Sequence, residues 1–575
     1  MGVAGCAAAP FRMYEEALLA EISGAVITAK ALQNEGVDTI FFLTGGPITP
    51  IIVEANKLGI RCVDVRHEQA AAMMAHGYAR TTGKPGVCIC ASGPGTTNAV
   101  TGVANAFVDC VPMLTIGGAS PAVQFGMGGF QEIDQLAMMK PINKWSDRVL
   151  QTHRIPEMIS TAFRQATTGK PGPVYLDFPK DTIDELADEE QVVYPSKPRT
   201  TARPEGDARL VKEAIEILSK AERPVILAGT GTYWSQSGAE FQEFVELTKI
   251  PFYTMPQTRG IVPDDHPMSF LGARTKAYSE ADAVLVMGTR FNYMVAFGQP
   301  PRFAPDVKFI QVDIDPAEIG HNRDVEVGII GDCKAVFQQM IDEARPIFEG
   351  RDELPWVDEL RARDAANRER SEVQMATDQT PIHPLRLCRE VRDFLDRDAT
   401  LIVDGQEILN FGRQSIPTFT PGSRLNSGPF GNIGTGVPFG MAAKIARPDK
   451  QVLVLTGDGS FGFNGIELDS AVRNNVPFVT VVSNNAGWAA GAVARQDEPG
   501  RFLGYSNYEQ MAEAFGCHVE RVEDPDDIRP ALERAFASGV PALVNVVVDS
   551  EVKVVTQPFS AYQKGSVGVK QSYKD

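Results

Sequence analysis

Three stretches of this 575-residue chain follow one plan. PGVCICASGPGTTNAVTGVANAFVDCVPMLTIGG (from Pro85), RPVILAGTGTYWSQSGAEFQEFVELTKIPFYTM (from Arg223) and KQVLVLTGDGSFGFNGIELDSAVRNNVPFVTVV (from Lys450) share it. Each runs from a short strand through a Gly-rich turn and a helix-length segment to Val-Pro or Ile-Pro and a second strand. Alternating strand and helix patterns of this kind imply parallel sheets covered on both faces. The expected fold class is therefore α/β, with three doubly wound parallel-sheet domains over 14–190, 205–345 and 380–555 and a C-terminal tail over 556–575. Two charged stretches, DELADEEQVVYPSKPRTTARPEGD and GRDELPWVDELRARDAANRERSEVQMATDQTPIHP, read as the linkers.

Charge narrows the partners. A net charge of -18 disfavours nucleic acid and anionic membrane, both of which are held by basic surface. No run reaches the ~18 apolar residues that span a bilayer. MGVAGCAAAP at the start is apolar but lacks a basic n-region, so no secretory signal is expected, and Met13 reads as an alternative start. Eight cysteines show no C-x-x-C and no Cys/His spacing for zinc, which suits a reduced, cytoplasmic setting. Cys88 and Cys90 alternate in VCICAS and share one face of a strand.

The third repeat carries the chemistry. In QVLVLTGDGSFGFNGIELDSAVRNNVPFVTVVSNNAG, Asp458 and the pair Asn484-Asn485 fall at the carboxyl ends of neighbouring strands, where open α/β sheets bind ligands. Gly457, Gly459 and Gly462 spell G-x-G-x-x-G, which alone suggests a dinucleotide site. Asp458 between the first two glycines argues otherwise, because a carboxylate repels a pyrophosphate unless a cation stands between them. Asp458 and Asn485 suit a hard cation such as magnesium, with diphosphate oxygens and water as its remaining ligands. Gly459 and Ser460 offer donors at the helix start.

GDGS followed by NN resembles the signature of thiamine-diphosphate (ThDP) enzymes of the acetolactate synthase-like superfamily, and the resemblance runs from about Glu15 to Val555. It implies that Asp458, Asn485 and the Gly487 carbonyl bind the metal, with Gly457, Asp458, Gly459 and Ser460 around the diphosphate. In the setting R-H-E-x-x-A-x-x-x-A-x-G-Y-A-R it implies that Glu68 bonds N1′ of the aminopyrimidine; taken alone, a Glu in a first helical turn is a helix-dipole partner. In GMGGFQEIDQ, Gln131 would face the reacting carbon from the neighbouring domain, although the segment also reads as a surface turn. Oxalyl-CoA decarboxylases place Tyr-Glu where this chain has Phe130-Gln131, which argues against oxalate chemistry. In NSGPFGNIGTGVPFGMAA, Ile433 would be the wedge that bends the cofactor, and the Gly431 carbonyl would bind its amine.

Gly288 to Asp313 is similar to the corresponding part of 2-hydroxyacyl-CoA lyases and oxalyl-CoA decarboxylases, which implies ADP or the CoA nucleotide in the central domain; acetolactate synthases carry FAD there. Arg274, Arg290 and Asp313 are the candidate nucleotide contacts, each equally readable as part of a domain-closing salt bridge. In the tail, Ser560, Tyr562 and Lys564 could meet CoA, or the segment could simply be a frayed terminus. WAAGAVARQDEPGRFLG is unusually small at Ala489 to Ala492, so this wall is either roomy or mobile.

The resemblance is to the 2-hydroxyacyl-CoA lyase and oxalyl-CoA decarboxylase branch. It implies cleavage of a 2-hydroxyacyl-CoA to formyl-CoA and an aldehyde or ketone, in a homodimer or homotetramer with its sites between subunits. The alternatives are an acetolactate synthase-like or benzaldehyde-lyase-like carboligase without CoA and, from a different class, a non-catalytic nucleotide-binding paralogue.

Overall fold

The computed structural model describes residues 21–553, so the candidates Ser560, Tyr562 and Lys564 and the tail over 556–575 lie outside the described residues. Three parallel sheets organise the chain. The first contains β2 (Thr39–Phe42), β3 (Arg61–Asp64), β4 (Gly86–Cys90), β5 (Met113–Ala119), β6 (Trp145–Arg148) and β7 (Pro173–Pro179) in the order β3-β2-β4-β5-β7-β6. A short antiparallel pair, β1 (Glu21–Ser23) with β8 (Leu186–Asp188), ties the two ends of this domain together. The central sheet is β10-β9-β11-β12-β13, made of β9 (Pro224–Ala228), β10 (Phe252–Thr254), β11 (Ala283–Met287), β12 (Lys308–Asp313) and β13 (Val327–Ile330). The last contains β14 (Thr400–Asp404), β15 (Arg424–Leu425), β16 (Val452–Gly457), β17 (Val479–Asn484), β18 (His518–Val522) and β19 (Ala542–Val547) in the order β15-β14-β16-β17-β19-β18.

The first and third sheets thus thread their strands identically. The repeat that suggested this is only local, however. In the first and third domains it spans the third and fourth strands, β4-β5 and β16-β17, whereas in the central domain it spans β9-β10, the first strand and its edge neighbour. A strand, turn, helix, strand unit packs back onto a parallel sheet on either side of its first strand, and its sequence does not record which side.

In the third sheet the chain steps from β14 to β15 on one side and then crosses to β16 on the other, so β14 and β16 flank a topological switch point. Loops there diverge and leave a crevice beyond the strand ends. The glycines after both strands allow the two loops to meet: at Gly405 (φ +116°) a Cβ would lie 3.3 Å from the Gly457 nitrogen.

One hydrophobic core is shared between the first and third domains. Ala70 to Ala75 of the Glu68–Thr82 helix and Val437, Phe439 and Met441 of the Gly436–Ala446 helix belong to a single buried cluster. Small residues make this possible, since a Cβ at Gly77 would come within 3.0 Å of the Phe439 ring. A Cβ at Gly102, where the Pro94–Val108 helix crosses, would lie 2.6 Å from the Ala72 Cβ. Cys88 and Cys90 lie in the same cluster with their sulfurs 3.4 Å apart. The central domain has its own core, from Val211 to Leu360. Gly102→Val should therefore destabilise the first domain by about 1–3 kcal/mol through overpacking, measured as a lower urea midpoint than wild type.

Candidate active site

A cavity of about 290 Å³ opens at the switch point of the third sheet. Gly457, Asp458, Gly459 and Ser460 form its floor after β16, Gly405, Gln406 and Glu407 its side after β14, and Asn485 and Gly487 its far edge after β17. Ile433 also lines it, but Gly431, at φ +71°, is not among the lining residues.

Asp458 is 2% exposed. Its Oδ1 accepts the Gly459 N–H at 2.9 Å, and its Oδ2 is buried with no partner among the described residues. Burial pushes the carboxyl up to about 7, against the opposing pull of the backbone N–H groups around it. The two asparagines separate. Asn484 is spent on structure, with its Nδ2 donating to the Ser506 carbonyl and to Asn545 Oδ1, each at 3.1 Å. Asn485 points its amide at the site, one terminal atom lying 3.0 Å from both Asp458 Oδ1 and the Gly487 carbonyl oxygen. With its NH2 turned inward the amide donates to both. Turned the other way, it joins them to make three converging oxygens. A six-coordinate cation with bonds of about 2.1 Å holds neighbouring oxygens about 3 Å apart, so this donor set, with an unpartnered carboxylate oxygen beside it, fits a hard divalent cation.

The small-residue segment is packed, not roomy. Ala490 and Ala492 are buried, and a Cβ on Gly487 would lie 2.4 Å from the Ala492 Cβ. Their size lets the turn fold tightly beneath this edge of the cavity. Trp488 stands over it: its ring sits 2.9 Å from where a Gly459 Cβ would be, its main-chain N–H donates to the Arg501 carbonyl at 3.0 Å, and its carbonyl accepts from Arg501 Nη1 at 2.9 Å.

Glu68 and Gln131 form a second group, at the carboxyl edge of the first sheet. Glu68 opens the Glu68–Thr82 helix and is buried, with Oε2 accepting from Asn98 Nδ2 at 2.9 Å. Gln131, at φ +58°, folds over the turn after β4, where Ser92 Oγ donates to its Oε1 at 2.9 Å. A Cβ on Gly93 would strike the Gln131 carbonyl at 2.4 Å, and one on Gly95 would approach Glu68 Oε1 at 3.3 Å. Among the described residues the third-domain cavity is lined only by positions between 384 and 552, so neither Glu68 nor Gln131 reaches it within one chain. Val123, Met127 and Phe130 of the Gln131 loop are exposed, Phe130 by 84%.

The remaining candidates lie apart from both groups. Arg290 Nη2 donates across the domain boundary to the Val108 carbonyl at 2.5 Å. Arg274 is half-buried, and burial lowers its pKa. Asp313 ends β12 and accepts the Asp315 N–H at 2.9 Å, its carboxyl pushed up to about 6 by burial. A salt bridge between the first and central domains is made nearby, by Lys170 with Asp315 at 3.1 Å and Glu318 at 2.5 Å.

Family models for thiamine pyrophosphate enzymes match the chain three times: the N-terminal TPP binding domain at residues 22–138, the central domain at 211–340 and the C-terminal TPP binding domain at 409–546. A probable acetolactate synthase of Mycobacterium bovis is 35% identical over 542 residues, covering 92% of this chain and 96% of that protein. The chain belongs to the thiamine-diphosphate-dependent enzymes. Within this family a 2-hydroxyacyl-CoA lyase of Arabidopsis thaliana is 34% identical over 570 residues, 95% of this chain and 97% of that protein. The oxalyl-CoA decarboxylase of Escherichia coli K12 is 33% identical over 540 residues, 92% and 95%. These relatives are a synthase, a lyase and a decarboxylase, and this ThDP-family chain is an enzyme. Among the described residues no helix is long and apolar enough to cross a membrane.

Two features of this ThDP-family site escaped sequence reasoning. Gly405 to Glu407 lie in a strand-end turn that drew no attention, and the strand order of the sheet was the only signal that could have marked it. The other is Asp404, whose Oδ2 accepts the N–H groups of Gly434 at 3.0 Å and Gly436 at 2.9 Å, while Asn464 Nδ2 donates to the Gly434 carbonyl at 2.7 Å. Together they clamp the residue next to Ile433. Burial raises the Asp404 carboxyl from 3.8 to about 6. The folded chain therefore holds this proton more tightly than the unfolded one, and the contribution of Asp404 to stability falls as pH rises from about 4 to 6 and is constant above. At about 1.4 kcal/mol per pH unit this amounts to ~3 kcal/mol. Asp404→Asn should lose that dependence, so urea unfolding of wild type and variant should diverge between pH 4 and 6, with the variant gaining relative stability as pH rises.

Proposed function

We propose that the chain is a 2-hydroxyacyl-CoA lyase that cleaves the C1–C2 bond of its substrate to formyl-CoA and an aldehyde or ketone, and runs the acyloin-type condensation in reverse. The cavity lining and the sequence after it support this reading over the other activities named among the relatives. Val548, Asp549 and Val552 line the cavity near the end of the described residues. Residues 554–575 follow, carrying Lys564, Lys570 and Lys574 against the single acidic Asp575 in a chain of net charge -18. A basic stretch of sequence directly after these lining residues, in an acidic protein, suits polyanionic CoA better than pyruvate. Phe130-Gln131 weighs against oxalyl-CoA.

Bound thiamine diphosphate supplies a nucleophilic thiazolium carbon and an electron sink for carbon-carbon cleavage. Asp458, Asn485 and the Gly487 carbonyl would hold magnesium, whose charge removes the repulsion between Asp458 and the diphosphate. Gly457, Gly459 and Ser460 would floor the diphosphate. Ile433 would support the bend between the cofactor rings, with the Gly431 carbonyl toward the exocyclic amine. Glu68 would hydrogen-bond N1′ of the aminopyrimidine and pass a proton to or from it. Gln131 would face the carbonyl under attack. Arg290 is spent on the Val108 carbonyl, and this reading assigns no nucleotide to the central domain.

Glu68 and Gln131 lie outside the cavity they would serve, so the reading calls for a homodimer, or a tetramer of such dimers, in which the first domain of a second copy closes each cavity. Exposed apolar residues stand on both faces that would meet: Val123, Met127 and Phe130 on one, Phe463, Trp488 and Phe502 on the other.

Purified protein with ThDP and magnesium should release formyl-CoA from a short 2-hydroxyacyl-CoA, detected by chromatography. Acetolactate from pyruvate with no formyl-CoA from any short substrate would replace this reading with the carboligase one. Glu68→Gln should lower kcat by about 100-fold or more, the scale of general acid-base catalysis. Removal of magnesium should abolish the rise in Tm that ThDP gives the wild type, and Asp458→Ala should show no rise in either condition.

A further inference from the structure

Glu467 is completely buried where the third domain meets the first. Its Oε1 and Oε2 each accept the Arg66 N–H at 3.1 Å, Oε1 also accepts the His67 N–H at 3.1 Å, and Ser470 Oγ donates to Oε2 at 2.6 Å. Arg66 and His67 directly precede Glu68. Their N–H groups lie before the first turn of the Glu68–Thr82 helix, so no carbonyl of that helix serves them. The helix caps itself one step further on, with His67 Nδ1 accepting the Gln69 N–H at 3.1 Å. Glu467 therefore holds the backbone on which Glu68 is mounted, from a different domain. Bonds to a carboxylate are roughly twice as strong as neutral ones. The half-exposed pairs around them, Arg66 with Asp469 at 2.6 Å and Arg473 with Asp469 at 2.8 Å and with Asp64, add little fixation of their own.

We propose that Glu467 is a positioning residue for Glu68, fixing the approach of its carboxylate to the cofactor through the Arg66 and His67 amides. This rests on the reading of Glu68 given above. It also gives the third repeat a second task. Asp458 begins the short helix after β16 and Glu467 begins the next, so one continuous segment carries the cation turn of its own cavity and the support for a Glu68 that closes the cavity of a second copy.

The test compares Glu467→Gln, Ser470→Ala and Glu68→Gln in full-length protein with ThDP and magnesium. Glu467→Gln keeps one acceptor oxygen and the shape but sets an NH2 against the Arg66 N–H; Ser470→Ala is the milder variant should the first not fold. Four quantities are read: kcat and KM, ThDP affinity from Trp fluorescence, amide hydrogen exchange over residues 64–70, and the near-ultraviolet circular dichroism of the bound aminopyrimidine, which responds to its contact with Glu68. Faster exchange at Arg66 and His67, kcat down about tenfold for Glu467→Gln or threefold for Ser470→Ala, KM and ThDP affinity within twofold, and a dichroic band shifted as in Glu68→Gln would support the proposal. Faster exchange with kcat and the band unchanged would overturn it, as would parallel losses of ThDP affinity and Tm, which mark a structural role. An unchanged kcat and band in Glu68→Gln would instead overturn the assignment of Glu68 itself.

Discussion

A carboxylate buried at a strand end with one oxygen unpartnered is the constraint around which the third domain is built. Asp458 could lie on the surface, where hydration would cost nothing; instead the fold buries it at about pKa 7 and aims an amide and a carbonyl at the same point. Such an arrangement is unfavourable on its own and favourable with a divalent cation, because desolvation penalises an isolated charge and a metal reverses that penalty. The neighbouring oddities follow from it. Gly459 is bare because Trp488 lies against it, Ala492 is small because Gly487 must turn tightly above it, and Gly405 takes a left-handed φ so that the loop after β14 can close on the turn after β16.

The second constraint is the core shared between the first and third domains. A helix as small as AAAMMAHGYA can be buried on all sides, and it is wedged between its own sheet and the Gly436–Ala446 helix. The two groups of candidate residues in one chain therefore cannot shift independently. Glu68 and Gln131 do not line the cavity of their own chain, and the proposed two-fold arrangement of two such chains would close two equivalent cavities, the usual geometry of an isologous dimer.

Much of the fold was legible because parallel sheets demand it: apolar strands alternating with helices admit few topologies, and turn residues at strand ends mark the ligand edge. GDGS and the asparagine pair were legible for a chemical reason, a carboxylate where a phosphate cradle would otherwise stand. Even the choice between the asparagines could be made from family resemblance, and the structure supplies the physical difference by tying Asn484 to Ser506 and Asn545. Glu467 and Asp404 were not legible. Each acts on backbone N–H groups distant in sequence, at Arg66 and Gly434, and a backbone amide leaves no trace in residue identity. The segment Ala489 to Ala492 misled for a related reason: small side chains mean empty space only if the backbone stays away, and here it closes in.

Relatives with three different activities share roughly a third of their residues with this chain over nearly its whole length. What they share must therefore be sought in the sheets, the shared core and the cation turn, whose residues are fixed by packing and by a common cofactor. Discrimination between an acyl-CoA and a keto acid has to lie where the scaffold leaves freedom, at the loops beyond the strand ends. In this chain the exposed Val123 to Ile133 loop and the cavity-lining stretch from Val548 to Val552 are such segments. Under the proposed dimer, a substrate spanning both would be read by two copies of the protein at once, and specificity and assembly would then be set by the same surfaces.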